Sequence, residues 1–182
     1  MPRYVAFLRA INVGGSHLVK MDDLRREFEK LGFTEVQTFI ASGNVIFTTP
    51  SKDGKALERR IEERLQKAFG HEVRTFVRTE SEVARIAAYA PFKPAQIRAA
   101  AVFCVGFLEA PLKPDAVKAV MSLRTADDDL HVNGRELYWI SKKGQGQAEF
   151  SNALLEKTLK ARSTFRGVNT VVKLAAKHGC KP

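Results

Sequence analysis

The first apolar segment, RYVAFLR (3–9), alternates in polarity and is rich in Tyr, Val and Phe, which predicts a strand. It runs into LRAINVGG (8–15), where an arginine, an asparagine and two glycines intervene before the next periodic stretch. In MDDLRREFEKLG (21–32), Met21, Leu24, Phe28 and Leu31 form one helical stripe with Gly32 as its stop. Asp22 and Asp23 fall in the first turn of that helix, where its dipole favours acids. VQTFIA (36–41) and NVIFTT (44–49) read as strands joined tightly through Ser42-Gly43. KALERRIEERLQKAFG (55–70) spaces Leu57, Ile61, Leu65 and Phe69 for a second amphipathic helix, again closed by glycine, and EVRTFVRT (72–79) is a fourth strand. The order β-α-β-β-α-β is that of a ferredoxin-like module. Thr79 or Ser81 then opens a short helix through Ala90, with Glu82 completing a capping box on Thr79.

PFKP (91–94) breaks the pattern and reads as a linker. Beyond it, AAAVFCVGFL (99–108) is a buried strand by length and branching, and PDAVKAVMSL (114–123) is a helix opened by proline, with Val117, Val120 and Met121 inward. DDLHV (128–132) and ELYWIS (136–141) flank Asn133-Gly134, a strong hairpin signal. Helices at about 151–162, with Leu154, Leu155 and Leu159 inward, and at about 170–178 complete the chain. The fold class expected is therefore α+β, with two ferredoxin-like α/β-sandwich modules in tandem. Residues 1–94 form the first, and residues 95–182 form a related βαββαα unit with a basic C-terminal segment.

Composition agrees with folded modules. Apolar residues make up 45% and charged residues 27% of 182, which argues against disorder. No apolar run reaches the roughly 20 residues that span a bilayer, and the N-terminus has no signal-peptide pattern, so the cytoplasm is the expected compartment. Cys104 reads as a small core residue, Cys180 lies at the end of the chain, and His17, His71, His131 and His178 are scattered. Neither a disulfide framework nor a metal site is expected from that spacing, and no cofactor signature is present. GQGQAEF (144–150) lacks the Gly-Lys-Ser/Thr ending of a phosphate loop. Asp127-Asp128-Asp129 suggests a turn, because adjacent residues entering a strand cannot all point inward.

Net charge is +10, and from Lys142 to Pro182 there are nine Lys or Arg against two Asp or Glu. Such a bias is either a solvated lysine-rich surface or an attraction for an anionic partner, nucleic acid or a phosphorylated molecule. Membrane association is not expected, since no long basic amphipathic helix with aromatic anchors is present.

The predicted spatial order 4-1-3-2 makes the first and third strands antiparallel neighbours. The end of one and the start of the other then share an edge, which brings Arg9, Asn12, Gly14 and Gly15 beside Ser42, Gly43 and Asn44. Glycine allows close main-chain approach to a ligand, successive N–H groups can form an anion nest, and Arg9 adds a fork suited to phosphate or carboxylate. The same residues also fit plain loop and turn chemistry. Phe7 and Phe47 sharing one sheet face would suggest an RNA-binding platform, but NVIFTT lacks the aromatic signature of that module, so core packing is expected for both.

LRAINVGG (8–15), LVKMDDLRREFEKLGF (18–33) and FIASGNVIF (39–47) resemble the hallmarks of a widespread bacterial family of unknown function. Its members carry an L-R-x-I-N-V-G-G start, an S-G-N-V-x-F hairpin and a later T-x-R-N-W-x-T-V block. Here the last of these reads Thr164-Phe165-Arg166-Gly167-Val168-Asn169-Thr170-Val171, with Gly167 and Val168 in place of the usual Asn-Trp. The resemblance implies two ferredoxin-like domains and no established activity. Read from its own chemistry, Arg166 would lie just before a helix N-terminus, where an anion is favoured, and Asn169 or Thr170 would cap that helix.

Three functions follow as expectations. The first is a binding protein for a phosphate-bearing ligand, a nucleotide or nucleic acid, through Arg9, Asn12, Gly14, Gly15, Ser42, Gly43, Asn44 and Arg166. The second is an enzyme for a small anionic substrate, with Arg9 orienting it and Ser42, Asn12 or Asn44 polarising it. The third is an interaction module that pairs through open sheet faces. Oligomeric state is left open.

Overall fold

Strand β1 (Arg3–Leu8) sends Tyr4, Ala6 and Leu8 into a helix-covered core and Val5 and Phe7 to the opposite face, the period of two that any strand imposes. In the computed structural model, which describes residues 1–12 and 18–177, β1 is followed by α1 (Met21–Glu29), β2 (Thr34–Phe39), β3 (Asn44–Thr48), α2 (Gly54–Phe69) and β4 (Thr75–Thr79). The four strands form one antiparallel sheet in the order β2-β3-β1-β4. The helices lie against it because their apolar stripes match: Leu24 and Phe28 of α1 and Leu57, Ile61 and Leu65 of α2 are fully buried among Tyr4, Ala6, Leu8, Val45 and Phe47. Each such side chain stabilises the module by roughly 1.5–3 kcal/mol. Phe33 stacks on Phe47 with ring centroids 4.5 Å apart, under the Arg60 guanidinium.

Local chemistry fixes the element ends. The Asp53 carboxylate accepts from Ala56 N at 3.0 Å to start α2, and Gly70, with φ +76°, ends it. Thr79 and Glu82 form the expected box, Glu82 N donating to Thr79 Oγ1 and Thr79 N to Glu82 Oε2, and α3 (Glu80–Ala88) begins there. Edge strand β4 is also sealed. Its N–H groups at Thr75, Val77 and Thr79 donate to the carboxylates of Glu62, Glu58 and Glu82 at 2.9, 2.9 and 2.7 Å. Donors engaged in this way are unavailable to a foreign strand.

After α4 (Pro94–Ala99) come β5 (Val102–Leu108), α5 (Pro114–Met121), β6 (Asp128–Asn133), β7 (Glu136–Ser141), α6 (Asn152–Leu159), β8 (Ser163–Gly167) and α7 (Val168–Lys177). The second sheet has the order β6-β7-β5-β8, matching the first strand for strand. By packing, the chain divides into Met1–Ala84 with the segment from Leu174, and Arg85–Lys173. The core of the second module gathers Val102, Cys104, Leu108, Val120, Leu130, Leu137, Trp139, Phe150 and Leu155. Burial pushes the Cys104 thiol up to about 11, as suits a core residue rather than a nucleophile.

Several expectations are corrected here. The second module is not βαββαα: Ser163–Gly167 is an eighth strand, paired antiparallel to β5, and α7 starts at Val168. Asn169 and Thr170 therefore lie inside the helix rather than capping it. Pro94 of the PFKP cluster opens a helix, which proline does readily at a first position. Gly134-Arg135, not Asn133-Gly134, forms the second hairpin loop, with Gly134 at φ +61° in the position where II′ loops place glycine. Phe7 and Phe47 sit on opposite faces, since β1 pairs Tyr4, not Phe7, with Phe47. Both are fully buried. Val5, Phe7, Ile46, Val105, Phe107 and Tyr138, which face away from the helix-covered cores, are buried as well, so neither sheet presents them to an outside partner.

Candidate functional site

The end of β1 meets the start of β3 as the strand order requires. Phe7 stands opposite Asn44, Leu8 N donates to Gly43 O at 2.8 Å, and Arg9 N donates to Arg74 O at 2.8 Å just before β4. Three chain segments thus converge on half-buried Arg9. Arg74 is engaged there by Glu62 and Glu72.

The chain beyond Arg9 is unusual. Ala10 and Asn12 both have left-handed backbones, φ +60° and +58°. Ile11 between them is buried in the core. For L-residues this conformation costs roughly 1–2 kcal/mol each, least for asparagine. The Asn12 side chain closes the segment: its Oδ1 accepts from Val19 N at 2.7 Å, its Nδ2 donates to Val19 O at 3.0 Å, and the same nitrogen lies 3.4 Å from Ala41 O. Gly14 and Gly15 lie outside the described residues, as do His17, His178 and Cys180.

The hairpin turn is longer than Ser42-Gly43 alone, running over residues 40–43. Gly43 has φ +76°, and a Cβ there would come within 3.1 Å of Leu8 Cβ and 3.2 Å of Ile11 Cβ. Glycine is required at this point by the chain's own packing. Asn44 is fully buried and braces the turn, donating through Nδ2 to Phe39 O at 3.0 Å and to Ser42 Oγ at 2.9 Å. The Ser42 hydroxyl oxygen is thereby met by an amide N–H, which can take no proton from it, so this arrangement does not activate Ser42 as a nucleophile.

Arg166 belongs to β8 of the second module, opposite Val105. It is 8% exposed and donates to Thr164 Oγ1 and Phe165 O, each at 2.8 Å. Burial lowers its guanidinium to about 10. Its counterpart is Arg78, opposite Val5 in β4 and also buried. Of the sequence-predicted residues, the fold brings Arg9, Asn12, Ser42, Gly43 and Asn44 together at one edge, while Arg166 is a strand residue of the other module.

The three aspartates separate as strand alternation demands. Asp128 points inward, accepting from Trp139 Nε1 at 3.0 Å, Thr125 Oγ1 at 3.1 Å and Phe150 N at 3.3 Å. Burial alone would push its carboxyl up, but these donors and Ser141 hold it below the usual carboxylate range. Asp127 pairs with Lys143 and Asp129 meets Gln96 and Arg124. Asp127 and Asp129 line a depression of about 400 Å³ together with Gln96, Arg124 and Lys142. Among the described residues, no group of three or more His, Cys, Asp or Glu is placed to hold a metal ion. No described helix is long and apolar enough to cross a membrane.

Sequence reasoning missed two residues at the edge. Leu18 and Ile40 are 77% and 53% exposed, and Ile40 has φ +50°. Strand-like neighbours hid Ile40, and nothing in the sequence marks its backbone.

The structure is similar to that of a conserved bacterial protein, SP0830, from Streptococcus pneumoniae, with 26% identity, a TM-score of 0.71, and coverage of 96% of this chain and 97% of that one. No curated protein matches. A family model described as "Protein of unknown function (DUF1697)" matches residues 1–138, and the chain belongs to that family.

Proposed function

We propose that the edge formed by Arg9, Asn12 and Ser42-Gly43-Asn44 binds a phosphate-bearing ligand, a nucleotide or nucleic acid. The observation that carries this is the pair of left-handed non-glycine residues, Ala10 and Asn12, directly after Arg9. Costly backbone conformations persist where their surroundings enforce them, and they cluster at ligand sites. Left-handed residues also turn neighbouring N–H groups toward one side, the geometry of an anion nest. Arg9 supplies a cation at the same place, and the net charge of +10 favours encounter with an anion. Asn12, Ser42 and Asn44 act here as braces that hold the loops, and Gly14 and Gly15 belong to the candidate loop by sequence.

The test is fluorescence polarisation with labelled nucleotides and oligonucleotides at low and high salt. Binding should weaken with salt, because phosphate contacts release counterions. Arg9→Ala should weaken it by about ten- to a hundredfold, as expected for loss of a charge-assisted hydrogen bond worth roughly 1.5–3 kcal/mol. No binding at low salt, or binding indifferent to Arg9→Ala, removes the proposal.

A further inference from the structure

We infer that the ligand taken at this edge is a nucleotide unit whose base lies against Leu18 and Ile40; the inference rests on the phosphate-binding reading above and adds the class of ligand. The two side chains are the exposed large aliphatic groups of the loops at this edge. They come from distant parts of the chain, yet one atom ties their neighbourhoods together: Asn12 Nδ2 donates to Val19 O, next to Leu18, and lies 3.4 Å from Ala41 O, next to Ile40. An exposed Leu or Ile alone is ordinary. Here two of them each adjoin a residue whose carbonyl the same Asn12 amide reaches, three residues after Arg9.

The backbone under Ile40 strengthens the case. A β-branched residue at φ +50° is a genuine outlier, and glycine or asparagine would sit there at less cost. The turn keeps an isoleucine in that place with more than half its surface in water. That is costly for the backbone and gains no core burial, so the exposed side chain itself is what the arrangement presents.

The surrounding charge selects the occupant. Lys20 is exposed two residues after Leu18, and Lys177 Nζ stands 5.5 Å from the centre of the Phe39 ring, next to Ile40. With Arg9, cations from the Leu18 segment and from the end of α7 stand near the two apolar positions. A ligand that meets both features carries an anionic group joined to a flat, largely apolar body. Nucleotides have that construction, and bases pack on apolar side chains as well as on aromatic ones.

The experiment compares three probes on the full chain: inorganic phosphate, AMP and a short oligodeoxythymidine, titrated against the parent, Arg9→Ala, and a Leu18→Ser/Ile40→Gly double variant. Both apolar positions are exposed and Ile40→Gly removes a strained backbone, so this variant should fold. Expected is AMP binding about tenfold tighter than phosphate, an advantage erased in the double variant, with phosphate affinity unchanged there and reduced for both ligands by Arg9→Ala. Competition by oligodeoxythymidine at least as strong as by AMP would assign the nucleotide to a single strand, and competition by AMP alone to a free nucleotide; each supports the inference. Equal affinity for phosphate and AMP, or an AMP advantage that survives the double variant, overturns it and leaves anion binding standing. Binding of neither overturns both. Co-sedimentation with phosphatidylserine vesicles that depends on Leu18 and Ile40, without AMP binding, overturns it in favour of a membrane surface.

Discussion

The two modules share a frame and differ in what hangs from it. Tyr4-Val5-Ala6-Phe7-Leu8-Arg9-Ala10 and Cys104-Val105-Gly106-Phe107-Leu108-Glu109-Ala110 occupy matching places: Val5 pairs with Ile46 and Arg78, as Val105 pairs with Tyr138 and Arg166. The central strands are close to copies. Beyond them the likeness ends. Leu8 is followed by Arg9–Asn12, where Asn12 is bonded to Val19, and helix α1 starts only at Met21, whereas Leu108 reaches helix α5 at Pro114 within a few residues. Arg9 becomes Glu109, and Ser42-Gly43-Asn44 becomes Gly134-Arg135-Glu136. A ferredoxin-like sheet therefore does not by itself create the candidate site. The residues of the candidate site lie in loops of the first module, and the second has the same scaffold with other residues at those places.

The largest difference should appear on removing the buried carboxylate of the second module. Asp128 is 1% exposed and serves Trp139 Nε1 and the N–H groups of Glu149 and Phe150. Asp128→Ala strands these donors and should cost on the order of 3 kcal/mol or more. Trp139 is the single tryptophan, so its emission during urea unfolding reports this module directly. The sign with pH follows from the lowered carboxyl. A folded pKa below the unfolded value of about 3.9 gives stabilisation that is complete above that value and lost as pH falls through the folded pKa. The parent should therefore lose stability on acidification below about pH 4, and Asp128→Asn should start lower and fall less steeply. In the first module Glu27 is an acid of similar direction, where burial acts upward and Lys30 and Arg64 outweigh it. It lies at the helix layer and should leave the Trp139 transition unmoved. Equal pH slopes for parent and Asp128→Asn would show that the carboxylate does not carry the acid sensitivity.

A smaller effect tests how the copied frame was repacked. In the first module Ala6 faces Val77, and at the matching place in the second Gly106 faces Phe165. One pair is small and medium, the other empty and large. A Cβ on Gly106 would come within 2.6 Å of the Phe165 ring. Gly106→Ala should destabilise the second module by about 1–3 kcal/mol, the usual cost of overpacking. Phe165→Val alone should also destabilise it, by leaving a cavity beside Trp139 and Phe150. Combined, they recreate the first module's pair, and the double variant should be more stable than the sum of the single losses implies. Strict additivity would mean that the two positions do not share one space.

What could be read in the sequence divides along the same line. Strand order, both helices of the first module and the Thr79–Glu82 box were legible because alternation, heptad-like spacing and capping chemistry act locally. Strand β8 was not, because STFRG offers one apolar side chain in five, and Arg166 is buried by pairing with β5 rather than by its own character. The repeat of VAFL (5–8) as VGFL (105–108) is the one local sign of it, since a copied central strand requires a partner for β5 equivalent to β4. At the site, convergence of the two loops was legible from strand order. The bracing roles of Asn12 and Asn44 were not, since hydrogen-bonding residues in a loop look alike whether they face the chain or a ligand.

The smallest effect lies in the first module's turn. Ile40 at φ +50° should gain from a residue without a side-chain clash, and Ile40→Gly should stabilise the module by roughly 1 kcal/mol, less the entropy that glycine adds to the unfolded chain. The second module supplies the control, for its hairpin already places glycine at the left-handed position, Gly134 at φ +61°. Gly134→Ala should therefore be unfavourable by a similar amount, and the two substitutions should move thermal midpoints in opposite directions. A stabilised Ile40→Gly protein that loses affinity for AMP would mean that the first turn trades stability for binding. If it is instead destabilised, Ile40 is held there by packing, and its exposure carries no functional meaning.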